Sequence, residues 1–359
     1  MKDIKRIAEQ FNIEGVFQSA SEYGEGHINE TYLLEYELEN TRTYYLLQKV
    51  SEAIFDYPKL MMENISRVLS YVHAEDIGLR LIETKEGNCY YKDPEGGYYR
   101  IYTFLEQAVS YDRPMGPWHV YECGRMTGIF LKALTGFSFD PAYYEMTKDF
   151  HNAFVRYEQF LEAVRQDKYD RVRKAETEIA FYKQMQKELL AIYDLEQEKK
   201  LPYRVTHNDL RLSNVMLDKK TNKALTMVDL DTVMPGLAAY DYGDAIRSAG
   251  KVVFRNGHKI ERVELRLPVV EQFTKGYLEE VGEVLTEEEI LAMPKAILVM
   301  TLECGIRYLT DYLNGDVYFA KNKNGENKEN AKREMLFAKE IIAHRKEIEK
   351  IVADNYQEN

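Results

Sequence analysis

The chain is 359 residues long, more than one ordinary core encloses, so two lobes are expected. Its 48 Lys and Arg against 60 Asp and Glu leave a net charge of -12, which repels polyanions and argues against a nucleic-acid surface as the main business, while a small or cationic ligand fits. With 45% apolar and 30% charged residues the balance is that of a soluble globular protein.

Residues 1–15 alternate charged and apolar side chains at helical spacing, without the apolar core of a signal peptide, so a short helix is predicted. No stretch approaches ~18 apolar residues, and no membrane span is expected. Residues 27–38 alternate Tyr32, Leu34, Tyr36 and Leu38 with Glu35 and Glu37, the period of a half-buried strand, and residues 43–50 form a second strand. Between Pro58 and His73, Met61, Ile65, Val68 and Val72 recur at helical steps, which predicts an amphipathic helix. Strands follow at 88–92 and 98–104, separated by the turn residues Asp93-Pro94-Glu95-Gly96-Gly97. A strand-rich lobe with one helix is thus expected over residues 1–106.

Residues 107–359 read as a mainly helical lobe, through 126–134 and 177–195, interrupted by a differently textured island at 206–247. Helical texture resumes beyond it, with Thr286 and Glu289 spaced as a capping box and Pro294 as a kink. Residues 321–332 read as an exposed loop and 331–352 as one packing helix, with Ala338, Ile341, Ile348 and Val352 on one face. Cys89, Cys123 and Cys304 are few, odd in number and far apart, which fits neither a disulfide framework nor a CxxC metal site and predicts a reducing cytoplasm.

The island carries the chemistry. His207-Asn208-Asp209-Leu210-Arg211-Leu212-Ser213-Asn214 has the spacing H-x-D-x-x-x-x-N, and Asp229 closes the apolar run 224–228. Phosphoryl transfer needs a carboxylate to take the acceptor proton and hard oxygen ligands to hold magnesium on nucleotide phosphates. Asp209 supplies the first, and Asn214 and Asp229 the second. Asp and Asn also satisfy backbone groups in ordinary turns, but the further spacing to Asp229 and Asp244 favours the catalytic reading. His207 is expected to brace the loop, and Asp231 either binds substrate or supports it.

These residues resemble the catalytic loop and metal-binding Asp of the aminoglycoside phosphotransferase superfamily, relatives of the protein kinases. The resemblance extends through Asp241-Tyr242-Gly243-Asp244, where that superfamily carries an Asp-rich turn entering a helix that supports the loop. It implies an α+β, protein-kinase-like two-lobed fold. No DFG follows Asp229, which is against a protein kinase.

Residues 228–236, residues 26–32, and Glu303-Cys304-Gly305-Ile306-Arg307-Tyr308 through Tyr318 and Phe319 together resemble the N-acetylhexosamine 1-kinase subgroup, over nearly the whole chain. That resemblance implies ATP- and magnesium-dependent phosphorylation of the anomeric hydroxyl of N-acetylglucosamine or N-acetylgalactosamine. It implies sugar contacts from His27, Asp209, Arg307 and Tyr318, and nucleotide phosphates under the loop that holds Tyr23, Gly24, Gly26 and Ile28.

By their own pattern the glycines are equally an ordinary hairpin turn, and Arg307, four residues before Asp311, is equally a helix-surface pair or an interior clamp. A lysine of the first lobe should reach the phosphates and pair with a helix glutamate, and Lys49 with Glu63 is the well-placed set. Gln48 stands where related kinases often put the basic residue, so strand register decides which face Lys49 takes. Phe104, Leu105 and Glu106 end a strand and look like the hinge that hydrogen-bonds adenine. The expected partners are ATP and a sugar, in a monomer or weak homodimer. The rival readings are a kinase of choline, homoserine or an aminoglycoside, and a pseudokinase that binds without turnover.

Overall fold

The computed structural model describes residues 2–24, 29–52, 55–73, 78–140, 143–144, 147, 149–319 and 325–357. Its first part is an antiparallel sheet of β1 (Val16–Glu22), β2 (Glu30–Leu38), β3 (Thr41–Val50), β4 (Leu81–Ile82), β5 (Tyr91–Lys92) and β6 (Tyr98–Thr103), in the order β1-β2-β3-β6-β4 with β5 also on β6. Alternation sorts the side chains. Leu34, Tyr36, Leu47, Tyr99 and Ile101 meet Ile7, Ala8 and Phe11 at the N-terminal helix and make a small core on one face. The other face carries Gln48 opposite Arg100. The Pro58–Tyr71 helix starts on a proline, whose missing N–H costs nothing there, and buries Met61, Met62, Ile65, Val68 and Leu69 in the main core.

Strand β1 was not foreseen from sequence, because its side chains are mostly exposed and its period-2 signal is faint. The chain then passes β7 (Ala108–Val109) into the long Pro117–Ala133 helix. That helix lies against the Leu267–Val281 helix so closely that a Cβ on Gly124 would come 2.2 Å from the Phe273 carbonyl oxygen. The predicted helix at 177–195 is three short ones, Glu176–Gln184, Gln186–Leu189 and Ala191–Gln197.

The island folds as β8 (Arg204–Thr206), β9 (Val215–Asp218), β10 (Ala224–Met227) and β11 (Met234–Gly236), with β11 on β8 and β9 between β10 and β7. The Ala238–Ala249 helix follows at once. Beyond it the expected helical texture is broken by a hairpin, β12 (Lys251–Asn256) and β13 (Lys259–Leu265), turning at Gly257 with φ +58°. The loop is Gly257-His258, with glycine at the first of its two positions, where the turn takes a positive φ.

Thr286 and Glu289 make both bonds of the capping box, and the Glu287–Leu313 helix runs on through Pro294. Residues 321–332 are not an exposed loop throughout, since the Glu326–Ala343 helix begins within them and buries Asn327 and Asn330. The single helix expected at 331–352 is two, parted at His344, with Arg345–Gln357 as the second. Among the described residues no helix is long and apolar enough to cross a membrane.

Candidate active site

The loop after β8 is held from behind. Asn208 takes the left-handed conformation at φ +63° and turns the chain toward Asp209. Its backbone N–H and that of His207 both donate to the buried Asp241 carboxylate, each at 2.7 Å. Burial pushes the Asp241 carboxyl above its ordinary range, and the two amides and His207 pull against that. Thr232 Oγ1 donates to the His207 carbonyl at 2.7 Å, and the Asn208 side chain donates to the carbonyls of Thr206 and Thr232. His207 Nε2 donates to the Val228 carbonyl at 3.0 Å. A second support, His151, was not read from sequence. Its Nε2 reaches the Asn208 carbonyl and its Nδ1 reaches Glu303, both at 3.1 Å.

On this base Asp209, Asn214 and Asp229 converge. Asn214 Nδ2 donates to the Asp209 carbonyl at 2.8 Å, and Val228 N donates to the Asn214 carbonyl at 2.9 Å, which ties the loop to the strand leading into Asp229. Asp229 is itself left-handed at φ +63° and opens the short turn Leu230–Thr232. Arg211 stands between the two carboxylates, 3.8 Å from Asp209 and 3.9 Å from Asp229. Sequence reading passed over Arg211, although its place in the loop, two residues after Asp209, was a usable signal. Burial pushes the Asp229 carboxyl up, Asp231 and Asp209 add to the push, and His207 and Arg211 oppose it.

Half-exposed Asp229 therefore sits among carboxylates whose repulsion a cation relieves. A magnesium ion on nucleotide phosphates takes one or two protein carboxylates and completes its shell with phosphate and water. Asp229 and the Asn214 side-chain carbonyl fit that donor set. Among the described residues no three His, Cys, Asp or Glu side chains form a metal cage, and such an ion needs none.

On the sheet side the register corrects one expectation. Lys49 lies opposite Tyr99 and Glu30, on the face that packs the small core, and its ammonium pairs with Glu30 at 3.6 Å. Glu63 pairs with Lys59 one turn away in its own helix. Lys49 and Glu63 are thus not brought together. Strand parity puts Gln48 on the cleft face instead, where its Oε1 accepts from Arg100 Nε at 3.0 Å and Nη2 at 2.8 Å. Arg100 Nη2 also lies 2.6 Å from Asp231 Oδ1, and Asn29 Nδ2 donates to Asp231 Oδ2 at 2.7 Å.

Tyr23 packs edge-on against Phe104 at 5.5 Å, and Gly24 is left-handed with open space where a Cβ would point. Leu105 is buried, while the Glu106 carbonyl accepts from Lys219 Nζ at 2.7 Å. Gly26, His27 and Ile28 lie outside the described residues.

At the Glu287–Leu313 helix, Arg307 and Tyr318 meet, with Nη2 3.4 Å from the phenol oxygen and the guanidinium 5.7 Å from the ring centroid. Burial opposes the charge on Arg307, but Glu303, one turn before it, and Tyr318 raise its pKa above the ordinary value. Asp311 does not pair with Arg307. Its carboxylate accepts from the backbone N–H groups of Val317, Tyr318 and Phe319 and from Asn327 Nδ2, at 2.8 to 2.9 Å.

Asp244 pairs with Arg247 at 2.6 Å, so the carboxylate that holds the loop before Asp209 is Asp241. Arg247 Nη1 reaches Cys304 Sγ at 3.5 Å, and Lys251 and Arg333 share Glu334 at 2.6 and 2.8 Å. Three cations thus stand on two carboxylates. Burial brings the Lys251 ammonium down to about 8, and Arg333 and Arg247 reinforce it against Glu334.

The phosphotransferase enzyme family model matches residues 19–272. Among solved structures, a microcompartment-associated aminopropanol kinase is 15% identical with a TM-score of 0.62, over 96% of this chain and 98% of that one. The choline kinase of Cryptosporidium parvum Iowa II is 14% identical with a TM-score of 0.56, over 98% and 96%. A spectinomycin phosphotransferase, solved with ADP and its antibiotic, is 14% identical with a TM-score of 0.52, over 99% and 98%.

Proposed function

Because this chain belongs to the phosphotransferase enzyme family, we propose that it transfers the terminal phosphoryl group of magnesium ATP to the anomeric hydroxyl of an N-acetylhexosamine, N-acetylglucosamine or N-acetylgalactosamine. Asp209 accepts the hydroxyl proton as that oxygen attacks phosphorus in line. Arg211, between Asp209 and Asp229, meets the negative charge of the moving phosphoryl group. Asn214 and Asp229 would hold the magnesium ion, which when bound supplies charge neutralisation on the phosphates. Positioning supplies most of the rate. Residues 1–106 are assigned to the nucleotide and residues 107–359 to the acceptor, with Tyr23, Gly24 and residues 104–106 lining the nucleotide side.

The observation that carries the acceptor is the Arg307–Tyr318 pair, one helical turn from Glu303, which reaches the catalytic loop through His151. Guanidinium and phenol groups suit neutral hydroxyl and carbonyl oxygens. A second reading follows the aminopropanol, ethanolamine and choline kinases among the structural neighbours, whose names imply amino-alcohol acceptors. A cationic acceptor wants carboxylates or an aromatic cage. Arg307, with the Arg156 guanidinium near enough for each to oppose the other's charge, supplies the opposite charge, which favours the sugar.

Incubation with ATP, magnesium and a panel of hexosamines, hexoses, choline, ethanolamine and aminoglycosides, read as ADP release, separates the two. NMR of the product then fixes the phosphorylated position. Turnover of N-acetylhexosamine to its 1-phosphate is the expected result, and activity on choline or ethanolamine with none on any sugar defeats it.

A further inference from the structure

We infer that the Arg100–Asp231 ion pair is a positioning device, joining the sheet to the turn that carries Asp229 and setting that carboxylate for the metal. It rests on the proposed reading of Asp229 as a metal ligand, and takes the place left empty by Lys49 and Glu63, which pair with Glu30 and Lys59 instead.

Arg100 is on β6, the strand next to β3, and is among the largest fully buried side chains of the protein. Gln48 holds its Nε and Nη2, and Thr31 Oγ1 accepts from Gln48 Nε2 at 3.2 Å, so three adjacent strands fix one guanidinium. Asp231 receives it at 2.6 Å, two residues after Asp229 and inside the turn that Asp229 opens. Asn29 grips the other oxygen of Asp231 while its own Oδ1 accepts from Ser51 N at 3.0 Å. The same turn is held from the Pro58–Tyr71 helix by Asn64, whose Nδ2 donates to the Val233 carbonyl at 2.9 Å. Thr232 binds it to the catalytic loop. Asp231 is thus tied to the sheet, Thr232 to Asp209's loop and Val233 to the Pro58–Tyr71 helix, with Asp229 at the head of the turn.

Stability alone is a poor reason for this pair. The contact is ionic rather than a directed hydrogen bond, and Arg100 Nη1 is buried with no partner. Burying such a charge pair with an orphaned donor commonly gains nothing over apolar residues of the same size. What the pair does provide is a fixed distance between the sheet, which covers the nucleotide, and the ligand that must meet the metal on its phosphates. Asp229 needs that support because its left-handed backbone is a conformation that side chains other than glycine seldom hold unaided.

The test compares Asp231→Asn, Arg100→Met and the double variant with the wild-type full-length protein, using calorimetric ATP binding with magnesium and with EDTA, plus thermal melting. Wild type should bind ATP at least tenfold tighter with magnesium. Each single variant should melt lower, since one buried charge loses its partner. The double variant, with no charge left unpaired, should regain most of the melting temperature and still lose most of the magnesium-dependent gain in affinity.

A double variant that melts like wild type and keeps the full gain overturns the positioning role, as does an Asp231→Asn variant that keeps it. Magnesium-dependent ATP binding by wild type without ADP release on any acceptor defeats the kinase reading alone. No such binding by wild type defeats both.

Discussion

His151 and Glu303 form a buried ion pair at 3.1 Å, and the other nitrogen of the same imidazole holds the carbonyl of Asn208, the residue before Asp209. Both partners only accept hydrogen bonds when Glu303 is ionised, so both ring nitrogens must carry protons and the ring is an imidazolium. Burial pulls the His151 pKa down, but Glu303, Asp244 and the Asn208 carbonyl together carry it above the ordinary value. Burial pushes the Glu303 carboxyl up, and His151, Arg307 and Arg156 bring it below.

The pair therefore stabilises the fold within a pH window. A histidine with a raised folded pKa gives its full contribution below the unfolded value, near 6.5, and loses it as pH rises through the folded value. Lowered Glu303 contributes above its unfolded value and loses that as pH falls through the folded one. His151→Gln keeps a donor for Asn208 but no charge. Melting curves across pH should show the wild-type advantage largest between the unfolded carboxylate and histidine values, about 4.3 and 6.5, and shrinking toward alkaline pH. A constant difference at all pH values contradicts the charged pair.

Asp209→Asn should fold and bind magnesium ATP like wild type while kcat falls by ~10²- to 10⁴-fold, the usual worth of a general base. Near-normal turnover in that variant removes Asp209 from the role.

Asp241→Ala should lower thermal stability more than any surface change. It leaves the buried N–H groups of His207 and Asn208 without acceptors, at about 1 to 3 kcal/mol each. Because those amides shape the loop before Asp209, kcat should fall as well. Unchanged melting and rate together contradict the scaffold described for the loop.

Lys49→Met should leave ATP affinity and kcat within about twofold and stability within ~0.5 kcal/mol, the ordinary range for an exposed residue. Arg211→Met should slow transfer by about 10- to 100-fold, the equivalent of one charge-assisted hydrogen bond of ~1.5 to 3 kcal/mol. If Lys49→Met is the damaging change and Arg211→Met the silent one, the two basic residues have been assigned the wrong way round.

The contrast between these residues shows what could be read before folding. Asp209, Asn214 and Asp229 lie within one short stretch, and local spacing is enough to bring them together. Lys49 failed on parity, because one residue along a strand reverses the face, and nothing local says which face meets the cleft. Arg100, Asp231 and Gln48 make their network only once β3 and β6 are paired across about fifty residues of chain. His151 and Glu303 are farther apart still, and a buried imidazolium has no sequence signature. The hairpin at β12 and β13 did carry a signal in Gly257, the first residue of its two-residue loop, outweighed by the helical runs on either side. The strand-rich sheet and helical remainder were legible because periodicity of apolar residues is a local property.

Asp311 gathers three consecutive backbone amides of the segment that presents Tyr318, while Val317 and Tyr318 themselves remain 68% and 58% exposed. The backbone there is anchored by a residue of another element, so its path does not depend on which side chains it bears. Such an arrangement lets selection, natural or in the laboratory, exchange residues 317 and 318 at little risk to folding, provided Asp311 is kept.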